Sequence, residues 1–281
     1  MRSIRIYSLA NAGIYLESGD ASVMIDGLNK PTAHFDGISN MCFEDMLAGK
    51  GFVGDGTFLL YTHTHQDHFD ADKNIIYVKE KKARGIFLPF SDSEDYQGLS
   101  SCAAENGTEL FSPVFGRDAG GKVQIADFQH NADSAQCTAP VCGPDSAQCT
   151  DITLKYFAAP HTGREYEGTP HYCLLLELGG YRTFVSGDAD HMNGAWQPPV
   201  LENKIDIAFV NPFFINRKEG RAFIEQMAPS KLFVYHLPPK ELDEFRIRSQ
   251  AAADLRKYGN QLDAYDTELV DEPMKIIFGN I

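Results

Sequence analysis

A run of ligand-type side chains at the end of a buried strand constrains the fold of this chain more than any other feature. The segment 57–62 (TFLLYT) shows no polar alternation, which is typical of a strand buried on both faces. The hexapeptide HTHQDH at 63–68 follows directly, with three imidazoles and one carboxylate. Such groups cannot lie unpaired in an apolar core. We therefore expect a loop at the carboxyl end of the strand, where they converge on a cation.

Three more ligand-type residues stand where other strand-like stretches end. His161, Asp188 and His236 each follow a short apolar stretch. Each of them alone is also typical of a turn or a helix cap. Because ligands in α/β proteins gather at the carboxyl ends of strands, the repetition indicates that all three join the hexapeptide. A single ion is not expected to bind all four ligand-type side chains of one turn. The spacing within the hexapeptide therefore favours two adjacent ions.

Strand-like and helix-like stretches alternate along the chain, which predicts an α/β (α+β) protein with mixed sheets. Strands are predicted at 4–8, 13–17, 22–25, 57–62, 85–89, 152–157, 171–178, 181–186, 206–210, 232–235 and 274–278. Helices are predicted at 41–48, 72–82, 217–227 and 239–258, and loop and turn at 103–121. No Pro-, Gly- or Ser-rich linker divides the chain, so the sequence predicts a single domain over 1–281.

A short duplication interrupts the middle of the chain. The hexapeptide DSAQCT occurs at 133–138 and again at 145–150, within a stretch that also contains Pro and Gly. This composition predicts a Cys-bearing loop insertion around 130–150. We interpret it as a tolerated surface insertion in preference to a lid over a site.

The charge of the chain opposes several classes of partner. With 39 acidic and 25 basic side chains, the formal net charge is −14, which repels nucleic-acid backbones and anionic lipid surfaces. No segment approaches the ~20 consecutive apolar residues of a membrane helix. The six Cys form no C-x-x-C pair, which opposes a structural zinc knuckle. The sequence therefore predicts a cytoplasmic protein that acts on a small molecule, with no long nucleic acid and no membrane as partner.

The hexapeptide, His161, the pair Gly187-Asp188 and His236, in this order and at these wide spacings, resemble the metallo-β-lactamase superfamily over nearly the whole chain. The resemblance implies a four-layer αββα sandwich with metals at one edge of its two sheets. It also implies two metal sites with one shared ligand: His63, His65 and His161 for the first, Asp67, His68 and His236 for the second, and Asp188 as the bridge.

Within that superfamily the chain is similar to the bacterial ascorbate-phosphate lactonase-like branch. The early strand ending in Ile25-Asp26 and the stretch from KIDIAFVNPF to APSKLFVYHLPP carry this similarity. The chain departs from the branch at Gly27, where Pro is usual, and in the Cys-bearing insertion. The resemblance implies a hydrolase in which a hydroxide bridging two divalent cations attacks an ester, lactone or phosphoester of a small, anionic metabolite. Zinc is the expected metal, with manganese or iron as alternatives.

Five residues are candidates for roles around the metals. Asp67 is the predicted catalytic residue, which orients the nucleophile and passes its proton to the leaving group. Asp26 is predicted to accept a hydrogen bond from a ligand imidazole, or else to be a turn residue. Arg164 is a candidate for binding an anionic group, or else a solvated loop residue. His171 and His191 are candidates for substrate contact or proton transfer, or else strand-face or surface residues.

Other activities of the same fold remain as alternatives. A small-substrate phosphodiesterase fits the ligand pattern, whereas a nuclease like ribonuclease Z is opposed by the negative charge. An iron-dependent oxidoreductase is a further alternative. Flavodiiron relatives carry Glu where this chain has His65, which opposes that group, but mononuclear iron dioxygenases keep the His. A binding protein that has lost catalysis is opposed by the complete set of ligand residues.

Overall fold

The computed structural model describes residues 3–112, 125–130, 152–192 and 194–279. The strands among them are β1 (Arg5–Ser8), β2 (Ile14–Ser18), β3 (Ala21–Ile25), β4 (Phe58–Leu60), β5 (Gly85–Phe87), β6 (Glu109–Phe111), β7 (Ile125–His130), β8 (Ile152–Ala158), β9 (Tyr172–Leu178), β10 (Tyr181–Val185), β11 (Ile207–Val210), β12 (Lys231–Val234), β13 (Thr267–Leu269) and β14 (Lys275–Gly279). The helices are α1 (Asn40–Leu47), α2 (Ala71–Lys81), α3 (Glu94–Glu105), α4 (Gln197–Leu201), α5 (Phe213–Asn216), α6 (Lys218–Met227) and α7 (Ile247–Leu262).

Within the described ranges these strands form two sheets, ordered β14-β1-β2-β3-β4-β5-β6 and β13-β12-β11-β10-β9-β8-β7. Successive residues of a strand point to opposite faces, so each sheet buries two sets of side chains. In β4, Phe58 and Leu60 enter the core between the sheets, whereas Leu59 packs towards α1, α2 and α3. The helices of the second half cover the second sheet in the same way. The layer order is therefore helix, sheet, sheet, helix, which confirms the predicted four-layer sandwich.

Strand direction brings many strand ends to one edge of the sandwich. Strands β3 to β6 run parallel in the first sheet, as do β10 to β13 in the second. Strand β8 runs parallel to β10, because β9 between them is antiparallel to both. At this edge the N–H of Tyr172 donates to the carbonyl of Thr62 at 2.9 Å, which ties the second sheet to the first.

Helix α2 begins directly after the hexapeptide. Asp70 caps it, because its carboxylate accepts from the backbone N–H groups of Asp72 and Lys73. The N–H of Asp70 in turn donates to the carbonyl of Leu28 at 2.8 Å. The hexapeptide is therefore held between a strand end and a fixed helix start.

The described structure differs from the sequence expectations at several places. A loop was predicted at 103–121, but α3 extends to Glu105 and β6 lies at Glu109–Phe111, so this prediction is wrong there. The sequence of α3 has only a weak helical periodicity, because its buried apolar face consists of Leu99, Cys102 and Ala103 in a polar sequence. The helix predicted at 239–258 begins only at Ile247, because Asp243 accepts backbone N–H groups and Arg246 adopts φ 56°. Strands β7 and β13 and helices α4 and α5 were not predicted.

Two further expectations stay untested, one of them because its residues are not described. Both DSAQCT copies lie within 131–151, which the structure does not describe. The single domain over 1–281 stays a prediction. In the described part of the chain, every helix is too short or too polar to cross a bilayer.

Candidate metal centre

The hexapeptide folds into a tight turn after β4. The N–H of Tyr61 donates to the carbonyl of Phe87, which extends the pairing of β4 with β5 by one bond. The N–H groups of His68 and Phe69 both donate to the carbonyl of His65, at 2.9 and 2.8 Å. This helical turn reverses the chain within six residues. The turn therefore places side chains that are apart in an extended strand around one point.

The three distant candidates come to the same edge of the sandwich. His161 follows β8, Asp188 follows β10 and His236 follows β12. The first two loops are joined, because His161 forms a β-bridge with Ala189 and the N–H of Thr162 donates to the carbonyl of Asp188 at 2.8 Å. The predicted convergence of distant strand ends is thus present.

The seven predicted ligands form three overlapping groups whose ligand atoms lie within 4.8 Å of one another: His63 with His65 and His161; His63 with His68 and Asp188; and Asp67 with His68 and His236. Asp188 stands between the outer two groups. Its Oδ2 lies 3.5 Å from His161 Nε2, and its Oδ1 lies 3.3 Å from His236 Nε2. We call His63, His65 and His161 the first ligand set, and Asp67, His68 and His236 the second. One carboxylate thus reaches both sets.

Hydrogen bonds at Nδ1 direct the other nitrogen of two rings into the cluster. His161 Nδ1 donates to the carbonyl of Thr162 at 2.5 Å, and His68 Nδ1 donates to Asp26 Oδ2 at 3.0 Å. Their Nε2 atoms then carry lone pairs for a cation. His161 Nε2 is buried and has no hydrogen-bond partner in the described part of the chain. A buried ring nitrogen without a partner is what a metal ligand leaves behind when the metal is taken away.

Burial keeps two rings of the first set neutral. It holds the pKa of His63 well below the usual value, and the neighbouring His68 lowers it further. Burial and the neighbouring His161 also lower the pKa of His65. His63 Nε2 and His65 Nδ1 lie only 3.1 Å apart. Neutral imidazoles with converging nitrogens are the form that binds a metal.

The carboxylates of the cluster need positive charge. Burial acts to lower the pKa of His68, but Asp188, Asp26 and Asp67 together hold it well above the usual value. Burial acts to raise the pKa of Asp188, yet His236 and His68 hold it well below the usual range. Three carboxylates thus lie around one buried imidazole, and the directions of both pKa shifts show that positive charge is favoured among them. The residues present therefore fit divalent cations in both charge and donor type.

Asp26 contacts one residue of the second set directly and one residue of the first set through Thr62. It is fully buried at the end of β3, and its Oδ2 accepts from His68 Nδ1. Its Oδ1 accepts the N–H of Thr62 at 2.9 Å, and its Oδ2 also accepts the Thr62 hydroxyl at 2.7 Å. The same hydroxyl oxygen lies 3.1 Å from His63 Nδ1. The structure therefore places Asp26 within hydrogen-bonding distance of His68, a predicted ligand, and adds a relay through Thr62 to His63 of the other set.

Known structures share this architecture. The metallo-β-lactamase fold protein YhfI from Bacillus subtilis aligns over 100% of both chains, at a TM-score of 0.57 and 12% identity. Igni18, a metallo hydrolase from the archaeon Ignicoccus hospitalis, aligns over 98% of this chain and 97% of its own, at a TM-score of 0.55 and 14% identity. The chain has the metallo-β-lactamase fold. No family model matches the sequence, and no curated protein does.

The same metallo-β-lactamase fold occurs inside a longer protein. CmlA, a diiron β-hydroxylase from Streptomyces venezuelae, aligns over 98% of this chain but only 54% of its own, at a TM-score of 0.57 and 12% identity. The chain thus spans about half the length of CmlA. Identities this low show the fold alone. The similarity to the ascorbate-phosphate lactonase-like branch stays a prediction.

His171 fixes the backbone of Asp188, a predicted ligand. Burial lowers the pKa of His171 to about 3, so the ring is neutral. Its Nδ1 donates to the carbonyl of Ala159 at 3.2 Å, and its Nε2 accepts the N–H of Asp188 at 2.9 Å. Asn211 holds the same loop, because its Nδ2 donates to the carbonyls of Gly187 and Ala189. Both side chains position the Asp188 loop within the metallo-β-lactamase fold.

Gly187 is required for this close packing. Its φ is 53°, and a Cβ added there would lie 2.5 Å from His171 Nε2 and 2.9 Å from Thr62 Cβ. We expect Gly187→Ala to lower the free energy of unfolding by about 3 kcal/mol, from backbone strain plus overpacking. Gly107→Ala is the matched control, since φ there is 69° and nothing lies within 4 Å of the added Cβ. It should cost only about 1 kcal/mol. Urea unfolding of both variants measures the difference, and equal losses would contradict the packing argument.

Two predicted site residues lie away from the cluster. Arg164 is exposed in a short 3-10 turn and forms no ion pair with any described residue. His191 is buried against Phe214, with ring centroids 5.9 Å apart, and none of its described contacts is with a predicted ligand. The proposed roles of these residues at the substrate stay predictions.

Aromatic side chains flank the two ligand sets and were not predicted from the sequence. The ring of Tyr166 lies 4.8 Å from His65 and 4.6 Å from His161, measured between centroids. The ring of Phe35 lies 4.3 Å from His236 in an edge-to-face arrangement. Tyr166 stands in the TGREYEG stretch, whose two glycines mark a turn directly after a ligand. That turn was the available signal. Phe35 has no comparable local signal.

Proposed function

We propose that the protein is a metal-dependent hydrolase that cleaves an ester, lactone or phosphoester bond of a small molecule. The observation that carries the proposal is the pair of ligand sets joined by Asp188 at the edge of the sandwich. The chain shares its fold with the metallo hydrolase Igni18, and this similarity supports metal-dependent hydrolysis as the class of reaction. We further propose that zinc fills both sets. The high negative charge of the chain supports a small-molecule substrate over long nucleic acid or a membrane.

When bound, two divalent cations supply a hydroxide nucleophile at neutral pH and stabilise the negative charge that develops on the substrate. The chain itself orients the ligands through Asp26, Thr62 and His171. We assign the proton transfer to Asp67. Its Oδ2 lies 3.5 Å from Nε2 of His236, the other end of the second set, and its side chain is 15% exposed. The other oxygen, Oδ1, can then accept a proton and pass it to the leaving group.

The test is hydrolysis by the purified protein, loaded with zinc or manganese, of a sugar-acid phosphate lactone and of bis(p-nitrophenyl) phosphate. We expect metal-dependent turnover that a chelator abolishes. When the two proteins are compared at equal metal content, the turnover of Asp67→Asn should be about a hundredfold lower, because an amide cannot take up the proton. Activity that survives this substitution in full would belong to a contaminant or to a mechanism without Asp67.

The two probes separate the alternatives. Lactone opening without diester cleavage supports a lactonase or esterase, and diester cleavage alone supports a phosphodiesterase. No turnover of either probe by the fully metal-loaded protein would overturn the hydrolase proposal. The fold shared with the diiron β-hydroxylase CmlA makes an oxidoreductase the second candidate. Iron in the purified protein together with oxygen consumption would support that candidate.

A further inference from the structure

The cluster of predicted ligands is open to solvent on one side only. Asp67 and Asp188 keep 15% and 16% of their side-chain surface exposed, and His65 is partly exposed. The other four predicted ligands are almost fully buried: His63, His68, His161 and His236. A substrate must therefore reach the cluster past the first three residues, which we call the open face.

The ring of Tyr166 lies at this open face. Its centroid is 4.8 Å from that of His65 and 4.6 Å from that of His161, yet Tyr166 remains 40% exposed. The ring thus contacts two predicted ligands with part of its surface and offers the rest to solvent. An aromatic ring in this position can pack against a molecule that is bound at the metals.

Backbone hydrogen bonds fix the turn that carries Tyr166. The N–H of Tyr166 donates to the carbonyl of Gly163 at 3.2 Å, and its carbonyl accepts the N–H of Thr169 at 2.9 Å. The start of the turn is fixed as well, since the N–H of Thr162 donates to the carbonyl of Asp188. A wall that is already ordered loses little conformational entropy when a ligand binds against it.

A second aromatic ring bounds the cluster at the second ligand set. The ring of Phe35 lies 4.3 Å from that of His236. Thr32 holds Phe35 in place, because its hydroxyl accepts the N–H of Phe35 at 3.1 Å and its own N–H donates to the carbonyl of Phe35 at 2.8 Å. Since Asp188 reaches both sets, a bond that is cleaved beside it has an aromatic ring at each end of the cluster.

Exposed aromatic side chains are concentrated at the edge of the sandwich that carries the predicted ligands. Where the structure describes exposure, each exposed aromatic residue lies in the connection that follows a strand ending at this edge: Phe90 after β5, Tyr166 after β8, Phe213 after β11 and Phe245 after β12. Single exposed rings are ordinary on a protein surface, but their concentration around a candidate metal centre is typical of a site for an apolar ligand.

We propose that Tyr166 determines the specificity of this site and binds an apolar group of the substrate directly beside the bond to be cleaved. This inference rests on the proposed function for the reaction, but the binding of an apolar group can be measured without turnover. It narrows the substrate to an ester, lactone or phosphoester with an aromatic or alkyl group next to the reacting atom. A polar sugar acid would leave the ring of Tyr166 without an apolar partner.

The experiment compares two carboxylates, acetate and phenylacetate, which differ only in the apolar group. Both can bind zinc through the carboxylate, and only phenylacetate places a ring beside the metals. For the zinc-loaded protein, titration followed by NMR of the ligand should give a Kd for phenylacetate about tenfold lower than that for acetate. In Tyr166→Ala this ratio should fall to about twofold with the Kd of acetate unchanged, whereas Tyr166→Phe should keep the ratio because it keeps the ring.

Tyr258→Ala is the matched control for the loss of a tyrosine ring. Tyr258 lies in α7 with its ring against Arg221, and none of its described ring contacts is with a predicted ligand. This variant should keep the wild-type ratio. Equal Kd values for the two carboxylates in the wild-type protein, or the wild-type ratio in Tyr166→Ala, would overturn the proposal. An equal loss of acetate and phenylacetate binding in Tyr166→Ala would also overturn it, because Tyr166 would then stabilise only the metal ligands.

Turnover separates this proposal from the proposed function. Where the protein hydrolyses bis(p-nitrophenyl) phosphate, Tyr166→Ala should raise KM about tenfold and leave kcat unchanged, since the ring binds the substrate and takes no part in the reaction. A fall in kcat with an unchanged KM would contradict the role in specificity. Selective binding of phenylacetate by a protein that hydrolyses neither probe would overturn the proposed function, and would keep Tyr166 as the wall of a site for an apolar ligand.

Discussion

Replacing Asp188 with Ala is expected to remove bound metal and to lower turnover at least about ten-thousandfold, a large part of the ~10⁶-fold or greater acceleration typical of enzymes. Asp188 is the carboxylate that reaches both ligand sets, with Oδ2 3.5 Å from His161 Nε2 and Oδ1 3.3 Å from His236 Nε2. Without it, the imidazoles of the two sets lose the negative charge that stands between them. Both cations should then bind more weakly, and their mutual repulsion should rise.

The measurement is metal content per chain after gel filtration, together with initial rates at saturating probe. Asp190→Ala is the matched control, because Asp190 lies in the same loop and its carboxylate accepts the N–H of Met192. It should keep the metal content and most of the activity. Wild-type metal content in Asp188→Ala would mean that Asp188 is not a ligand. The proposed bridge between the two sets would then be wrong.

The positions of the predicted ligands could be recognised in the sequence because each of them depends on a local pattern. A buried strand ends, and a residue of ligand type follows; the carboxyl ends of strands in one sheet then meet by topology. His161, Asp188 and His236 are recognisable by this rule, although more than 25 residues separate each from the next. The four-layer sandwich was implied by the resemblance to the metallo-β-lactamase superfamily, whereas the uninterrupted apolar pattern of 57–62 predicted only a strand that is covered on both faces.

The supporting residues could not be predicted in the same way. Asn211 holds the Asp188 loop from the end of β11, and Phe35 reaches His236 across about 200 residues of sequence. Such contacts depend on how loops from different strands pack together, which no local pattern encodes. For Tyr166 the sequence contained a turn signal. The charged residue of this turn, Arg164, was the predicted candidate. In the structure, however, the aromatic ring of Tyr166 lies beside His65 and His161 of the first set.

Replacing Asp26 with Asn is expected to weaken metal binding about 10–100-fold while the fold persists. Asp26 has φ 50°, a conformation that Asn tolerates better than most residues. The Asn carbonyl can still accept the N–H of Thr62. Its NH2 group, however, would face His68 Nδ1 and cannot accept a proton from it. The ring must then carry its proton on Nε2, the nitrogen that the structure directs into the cluster.

Thr62→Val separates the two branches of this network. It removes the hydroxyl that lies 3.1 Å from His63 Nδ1, but it keeps the hydrogen bond from His68 to Asp26. Dialysis against a competing chelator, followed by metal analysis, should therefore find one metal per chain in Thr62→Val under conditions that leave none in Asp26→Asn. Asp26→Ala should in addition lower the free energy of unfolding by about 3 kcal/mol, because it leaves buried donors unpaired. Wild-type metal affinity in Asp26→Asn would show that Asp26 stabilises the strand end without orienting His68.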